Sequence, residues 1–301
     1  MSAQSWAERV GVIGAGAMGM GVVRSLRRHG VDVVVRDIRI EAEREASALG
    51  AQLARSPAEL ARNCCIAIVL VVDEPQVEAV LFGESGAAHA FAHDSIVVLS
   101  STLAPDYVVA LEPRLARHGV TLVDAPVSGG PRKAHDGSMT MMVGGPEIAL
   151  ARCAPLFAFI AGNVFRTGIV GTGAKCKIAN NLLAAANLAA AAEAFALASE
   201  AGVDPAMFVE LVRASSGASW IFDDRIPRVL AQDYAPRAAT RVLAKDVGIA
   251  VDYAAKLQVD VPLARAARAV FAAAIADGYG EEDDASIIKA ALHRTGTASK
   301  P

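Results

Sequence analysis

Patterned cysteines, an excess of one charge and long uncharged apolar runs are all missing from this sequence, and each absence narrows the field. The four cysteines are Cys64, Cys65, Cys153 and Cys176, whose spacing fits neither a zinc site nor a disulfide framework. Buried free thiols in a reducing, cytoplasmic setting are expected instead. The six histidines fall at no ligand spacing either, so no metal is expected. Both signs of charge are scattered and sum to −3, which leaves no footprint for nucleic acid or an anionic membrane. No uncharged apolar run reads as long enough to cross a bilayer. The Ala-rich stretch beyond residue 181 comes nearest, and Asn187, Glu193 and Glu200 interrupt it. The opening residues, MSAQSWAERVGVIG, carry no basic segment leading into an apolar one, so no secretion signal is read.

What is present is a change of texture near residue 171. Before it, nearly continuous apolar runs at 9–14, 31–37, 65–72, 95–101 and 119–126 alternate with helical stretches. Buried parallel strands have that composition, and the βαβ alternation predicts a doubly wound α/β sheet. Segments 138–145 and 163–168 are candidates for final, antiparallel strands. After it, strand-like runs give way to Ala-rich helical segments, broken at 202–205, 234–237, 259–262 and 277–284. The expected organisation is therefore an α/β domain over 1–170 and an all-α domain over 171–301. A helix at 174–201, apolar on nearly all faces, belongs at the centre of the second domain or at a subunit interface, so a homo-oligomer is expected.

Chemistry enters with GVIGAGAMGMG. Gly14, Gly16 and Gly19, with Ala17 and Met18 between the last two, form G-x-G-x-x-G directly after a strand and at the head of a helix. The first glycine permits a tight turn, the second lets a pyrophosphate approach the backbone, and the third lets helix and strand pack closely. The helix N-terminus supplies unpaired N–H groups for phosphate. Asp37, at the end of the second strand, lies close to the offset expected for a carboxylate that binds ribose hydroxyls. It would repel a 2′-phosphate, so NAD is expected over NADP, although Arg36 and Arg39 flank it. These features predict a Rossmann-type dinucleotide-binding domain. Further on, DAPVSGGPRKAHDGSMT follows a strand end, and Ser128, Gly129 and Gly130 offer a hydroxyl and open N–H groups suited to a substrate carboxylate.

The stretch GTGAKCKIANN, at the head of the apolar helix, sets Lys177 and Asn181 four residues apart and hence on one face. Lys175 turns to the far side, towards solvent. Packing alone does not ask for a lysine and an amide in register on a buried helix, whereas a proton-transfer site does.

The glycine fingerprint, SST at 100–102, DAPVSGG at 124–130, GTGAKCKIANN at 171–181 and KD at 245–246 together resemble the β-hydroxyacid dehydrogenase family, over essentially the whole chain and in order. The resemblance implies that Lys177 is the catalytic lysine and that Asn181 helps hold the substrate. Ser128, Gly129 and Gly130 then bind its carboxylate. Thr102 lies beside the nicotinamide, and Lys245 closes over the cofactor. At the head of a helix the positive dipole end, together with partial burial, disfavours the charged form of Lys177, so a pKa lowered towards neutrality is expected. Such an amine takes a hydroxyl proton during oxidation and returns it during reduction.

The substrate implied is a small hydroxy acid bound between the two domains. Segments 219–237 and 278–290 are most similar to members acting on L-threonate, oxidised at C2. The alternatives are 3-hydroxyisobutyrate, oxidised at C3, and tartronate semialdehyde. From another class, a non-catalytic NAD-binding interaction protein on the same scaffold is the rival reading. Trp220 and Phe222 are read as core residues, and Asp223 and Asp224 as solvent-facing.

Overall fold

The computed structural model describes residues 6–294 and divides between Lys177 and Ile178 into two compact units. The first is built on nine strands: β1 Val10–Ile13, β2 Val33–Arg36, β3 Gln52–Leu53, β4 Ile66–Val69 and β5 Ile96–Leu99, then β6 Thr121–Asp124, β7 Val127–Ser128, β8 Met139–Gly144 and β9 Ala161–Gly168. Their order is β3-β2-β1-β4-β5-β6-β8-β7, with β9 on β8. Strands β1 to β6 run parallel, with Val10 opposite both Val33 and Ile66. β8 is antiparallel to β6 and β7, and β9 runs parallel to β8, so both final strands lie antiparallel to the β1–β6 set as expected.

The apolar runs are buried on both faces because successive side chains alternate. Val10 and Val12 join one core with Val33, Val35, Ile66 and Ile68. Ile13 joins the other with Val34, Ala67, Val69, Val97 and Leu99. Helices α1 Ala17–Arg28, α2 Ile40–Ala48, α3 Pro57–Arg62, α4 Glu74–Phe82, α5 Pro105–Ala116, α6 Gly130–Asp136 and α7 Glu147–Ile160 complete these layers. Local capping sets several boundaries. Ser56 accepts from the Glu59 N–H to start α3, and Asp73 from the Gln76 N–H to start α4.

Helix α8, Thr172–Glu200, carries the chain from the first unit into the second. The second unit continues with α9 Pro205–Arg213, α10 Trp220–Leu230, α11 Thr240–Lys256, α12 Pro262–Ala274 and α13 Ile287–Arg294. Leu188, Ala192 and Phe195 of α8 pack there with Val247, Phe271 and Ile287. Contrary to the expectation from sequence, α8 at 29 residues is long and apolar enough to cross a membrane by length and composition. Its packing partners and the buried polar contact of Asn181 described below assign it instead to the core of a folded unit.

Three expectations are corrected here. Asp224 does not face solvent: it pairs with Arg225 and Arg228. Those arginines reach Asp284 at 2.5 Å and Asp283 at 2.9 Å, forming an ion network with both distal carboxylates fully buried. Trp220 is about half exposed, while Phe222 is core as expected. Of the free cysteines, Cys64 and Cys153 are buried but Cys65 and Cys176 are exposed.

Candidate active site

The candidate residues of the first unit gather at the carboxyl ends of its parallel strands, where doubly wound sheets bind ligands. Gly14 directly follows β1 with φ +89°, and a Cβ there would stand 2.5 Å from the Leu70 carbonyl oxygen. A Cβ on Gly19 would stand 1.9 Å from the Gly14 oxygen, so strand and helix approach as only glycine allows. Gly16 differs: a Cβ there would meet only Arg39 Nη2, at 3.8 Å. That open side leaves the backbone of the loop accessible to a dinucleotide pyrophosphate. Helix α1 has no capping side chain at Gly16, which leaves its first N–H groups for phosphate. Ala17 is exposed and Met18 half-buried at the same turn. A cavity of about 450 Å³ opens here, lined by Gly16, Ala17, Arg24, Arg39, Glu45 and His135.

Asp37 has more partners than the sequence suggested. The buried Ala15 N–H donates to its Oδ2 at 2.6 Å, and Arg39 donates to Oδ1 through its backbone N–H at 2.8 Å and Nε at 3.2 Å. Arg39 Nη2 also reaches the Ala15 carbonyl at 3.2 Å. The carboxylate thus ties the end of β2 to the glycine loop. Arg36 is held elsewhere, donating to Glu43 at 2.7 Å and to the Asp37 carbonyl at 2.6 Å.

At the end of β5, the Ser101 hydroxyl accepts from the Val71 N–H at 3.0 Å, tying this turn to the one after β4, with Thr102 half-buried beside it. Ser128 lies on the short strand β7 rather than wholly in a loop. Gly129 and Gly130, both at positive φ, lead directly into α6, and all three residues are half-buried.

The head of α8 shows a residue that the sequence reading passed over. Asp124, the last residue of β6, accepts from the Gly171 N–H at 3.0 Å and the Ala174 N–H at 2.9 Å. Burial pushes its pKa up to about 6, although the N–H groups of Ala174, Gly171 and Gly173 favour the carboxylate. One turn beyond Ala174, Lys177 is 7% exposed, and Asn181 one turn later is 6% exposed. Lys175 is exposed, as the helical register requires.

In the second unit the Asn181 amide is itself held. Its Nδ2 donates to Asp246 Oδ2 at 2.7 Å, and its Oδ1 accepts from Asn180 Nδ2 at 3.1 Å. The half-buried Lys245 pairs with the other Asp246 oxygen at 2.8 Å. Asp246 is the second residue among these contacts that sequence reasoning left unassigned, although it stands in the quoted KD pair. Among the described residues no group of three His, Cys, Asp or Glu side chains could hold a metal ion.

Comparison with known proteins agrees with this geometry. Residues 9–168 match the family described as the NAD binding domain of 6-phosphogluconate dehydrogenase. Residues 171–291 match the NAD-binding domain of NADP-dependent 3-hydroxyisobutyrate dehydrogenase. The L-threonate dehydrogenase of Cupriavidus necator is 44% identical over 281 residues, covering 93% of this chain and 95% of that protein. The mitochondrial 3-hydroxyisobutyrate dehydrogenase of Mus musculus is 31% identical over 93% and 86% of the two chains. The crystal structure of a 3-hydroxyisobutyrate dehydrogenase from Salmonella typhimurium superposes with a TM-score of 0.89 at 38% identity, covering 94% of this chain and all of that one.

Proposed function

The chain belongs to the β-hydroxyacid dehydrogenase family, an assignment that makes it a nicotinamide-dependent enzyme, and from that premise we propose that it oxidises L-threonate at C2 to the 2-oxo acid with NAD. Lys177 takes the hydroxyl proton as the carbonyl forms, and Asn181 positions the oxygen it comes from. When bound, the nicotinamide supplies the acceptor for the C2 hydrogen and its bonding electron pair. Gly14, Gly16, Ala17, Met18 and Gly19 hold the pyrophosphate, and Asp37 meets the ribose hydroxyls. Thr102 and Lys245 flank the nicotinamide, while Ser128, Gly129 and Gly130 take the substrate carboxylate. The domain division read from sequence, 1–170 and 171–301, goes with this assignment of roles.

The observation that carries the reading is the burial of Lys177 beside an exposed Lys175. A buried amine on the face of a hydrogen-bonded asparagine is arranged for proton transfer and wasted as a surface charge. The choice of L-threonate is supported by relatives of that name at up to 44% identity, against 31% for the mitochondrial 3-hydroxyisobutyrate enzymes. Purified protein assayed with NAD against C4 sugar acids and C3–C4 hydroxy acids tests it. Preferred turnover of 3-hydroxyisobutyrate would replace the proposed substrate with the alternative, and no turnover of any hydroxy acid would favour a non-catalytic NAD-binding protein.

A homo-oligomer, dimer or tetramer, goes with this reading. It is supported by Leu183 and Leu197, which leave α8 strongly exposed. A monomer mass by light scattering at micromolar concentration would remove it. The four free cysteines support a reducing, cytoplasmic setting.

A further inference from the structure

Helix α8 lacks a capping side chain of its own at the end where proton transfer is placed. It begins after Gly171, at φ +90°, and continues through Thr172 and Gly173. Its first N–H groups are buried and need acceptors. Asp124 supplies one from β6, which lies 47 residues from Gly171 and 50 from Ala174 in sequence. The fit is close: a Cβ on Gly173 would stand 2.4 Å from the Met142 carbonyl oxygen and 3.0 Å from both Asp124 Oδ2 and its carbonyl oxygen. A Cβ on Gly144 would likewise stand 2.4 Å from the Ile169 oxygen. The sheet edge and the helix start are therefore pressed together, with the carboxylate as the polar link.

We propose that Asp124 is a positioning residue of the reaction, fixing the first turn of α8 against the sheet and thereby setting where Lys177 presents its amine. Ala174, which donates to Asp124, is three residues before Lys177, so a loosened first turn displaces the amine directly. The choice of residue separates this role from plain stability. A carboxylate whose folded pKa is raised, as that of Asp124 is, contributes stability below its unfolded pKa and loses it as pH rises through the folded one. Between about pH 4 and 6 the ionising group therefore weakens the fold, and a neutral acceptor would relieve that burden. Asp124 is held ionised at neutral pH for its grip on the helix, against the interest of stability. The groups that act on it are the backbone N–H groups of Ala174, Gly171 and Gly173, each favouring the ionised form against burial.

The proposal rests on the assignment of proton transfer to Lys177, and the test separates the two. In the wild type, Lys177→Ala, Asp124→Asn and Gly173→Ala, kcat and the KM for NAD are measured together with the thermal midpoint at pH 7.5. Asp124→Asn loses the charge and keeps only a neutral amide oxygen to accept from the Gly171 and Ala174 N–H groups, both of which Oδ2 takes in the wild type. Its kcat should fall by ~10–10²-fold, the scale of a misplacement of about 1 Å, with the KM for NAD unchanged and the thermal midpoint not lowered. Gly173→Ala, which keeps Asp124 but forces the first turn outward, should lose kcat in the same way. In the direction of 2-oxo acid reduction, where a protonated Lys177 favours low pH, the wild type should lose kcat near pH 6 and Asp124→Asn should lack that limb. Wild-type kcat in Asp124→Asn, with Lys177→Ala crippled, overturns the positioning role. Loss of kcat in Asp124→Asn only in step with a lowered thermal midpoint also overturns it, in favour of a structural role. A silent Lys177→Ala overturns the functional reading itself.

Discussion

Replacing Asp37 with alanine should change both cofactor choice and the stability of the glycine loop, by amounts that follow from its contacts. Its carboxylate is almost fully buried and accepts from the Ala15 N–H at 2.6 Å and from Arg39 twice. A hydrogen bond to a charged acceptor is worth ~1.5–3 kcal/mol, and 1.4 kcal/mol is about tenfold in an equilibrium constant. Losing the acceptor for the ribose hydroxyls should therefore lower kcat/KM for NAD by about 10- to 100-fold. The same substitution removes the negative charge that opposes a 2′-phosphate and frees Arg39, whose side chain is 56% exposed, to approach one. Use of NADP should then rise or hold steady, so the NAD-to-NADP preference collapses from both sides. The Ala15 N–H, left buried without an acceptor, should cost ~1–3 kcal/mol of stability. Initial rates with each cofactor at saturating substrate, alongside a denaturant titration, measure both effects. An NAD preference unchanged in Asp37→Ala would refute the assignment of Asp37 to the ribose, leaving it a structural tie alone.

Other substitutions test the second unit. Asp246→Ala removes the acceptor of the Asn181 amide and the ion-pair partner of Lys245, so kcat should fall by about 10- to 100-fold; steady-state kinetics within threefold of wild type would show that Asn181 needs no such support. Arg225→Ala leaves Asp284 buried and uncompensated beside Asp283, which should cost ~3–5 kcal/mol. Its urea midpoint should drop accordingly, and an unshifted midpoint would mean that the network is not as dry as its burial implies.

How much of this was legible in the sequence depended on whether the determinants were local. Long apolar runs such as CIAIVLVV declared themselves because a strand covered on both faces needs no polar alternation. The two-residue strands β3 and β7 did not, since two residues carry no period. Lys177 and Asn181 were legible because four residues is a helical turn, and the burial of both follows the register predicted. Asp124 and Asp246 were not, for their partners stand 47 and 65 residues away. The clue for Asp124 was present in a form that is hard to use: α8 follows Gly171, which has no side chain to cap it, so an acceptor must come from elsewhere. Asp37 was found by its offset from the glycine loop, yet its bond to Ala15 follows only from the fold. The break at 277–284 was also visible, though not that the chain turns there through Gly278 at φ +95°.

The central claim is that Lys177 moves the proton, and paired alanine variants measured in single-turnover oxidation test it most directly. Lys177→Ala should lower the rate by ~10²–10⁴-fold, the span of general acid–base catalysis. It should also lose the ascending limb of the pH profile while still binding NAD, and Lys175→Ala should behave as wild type. A crippled Lys175→Ala beside a nearly unaffected Lys177→Ala would contradict the account, as would equal and modest losses in both, which would reduce the two lysines to electrostatic attraction for an acidic substrate.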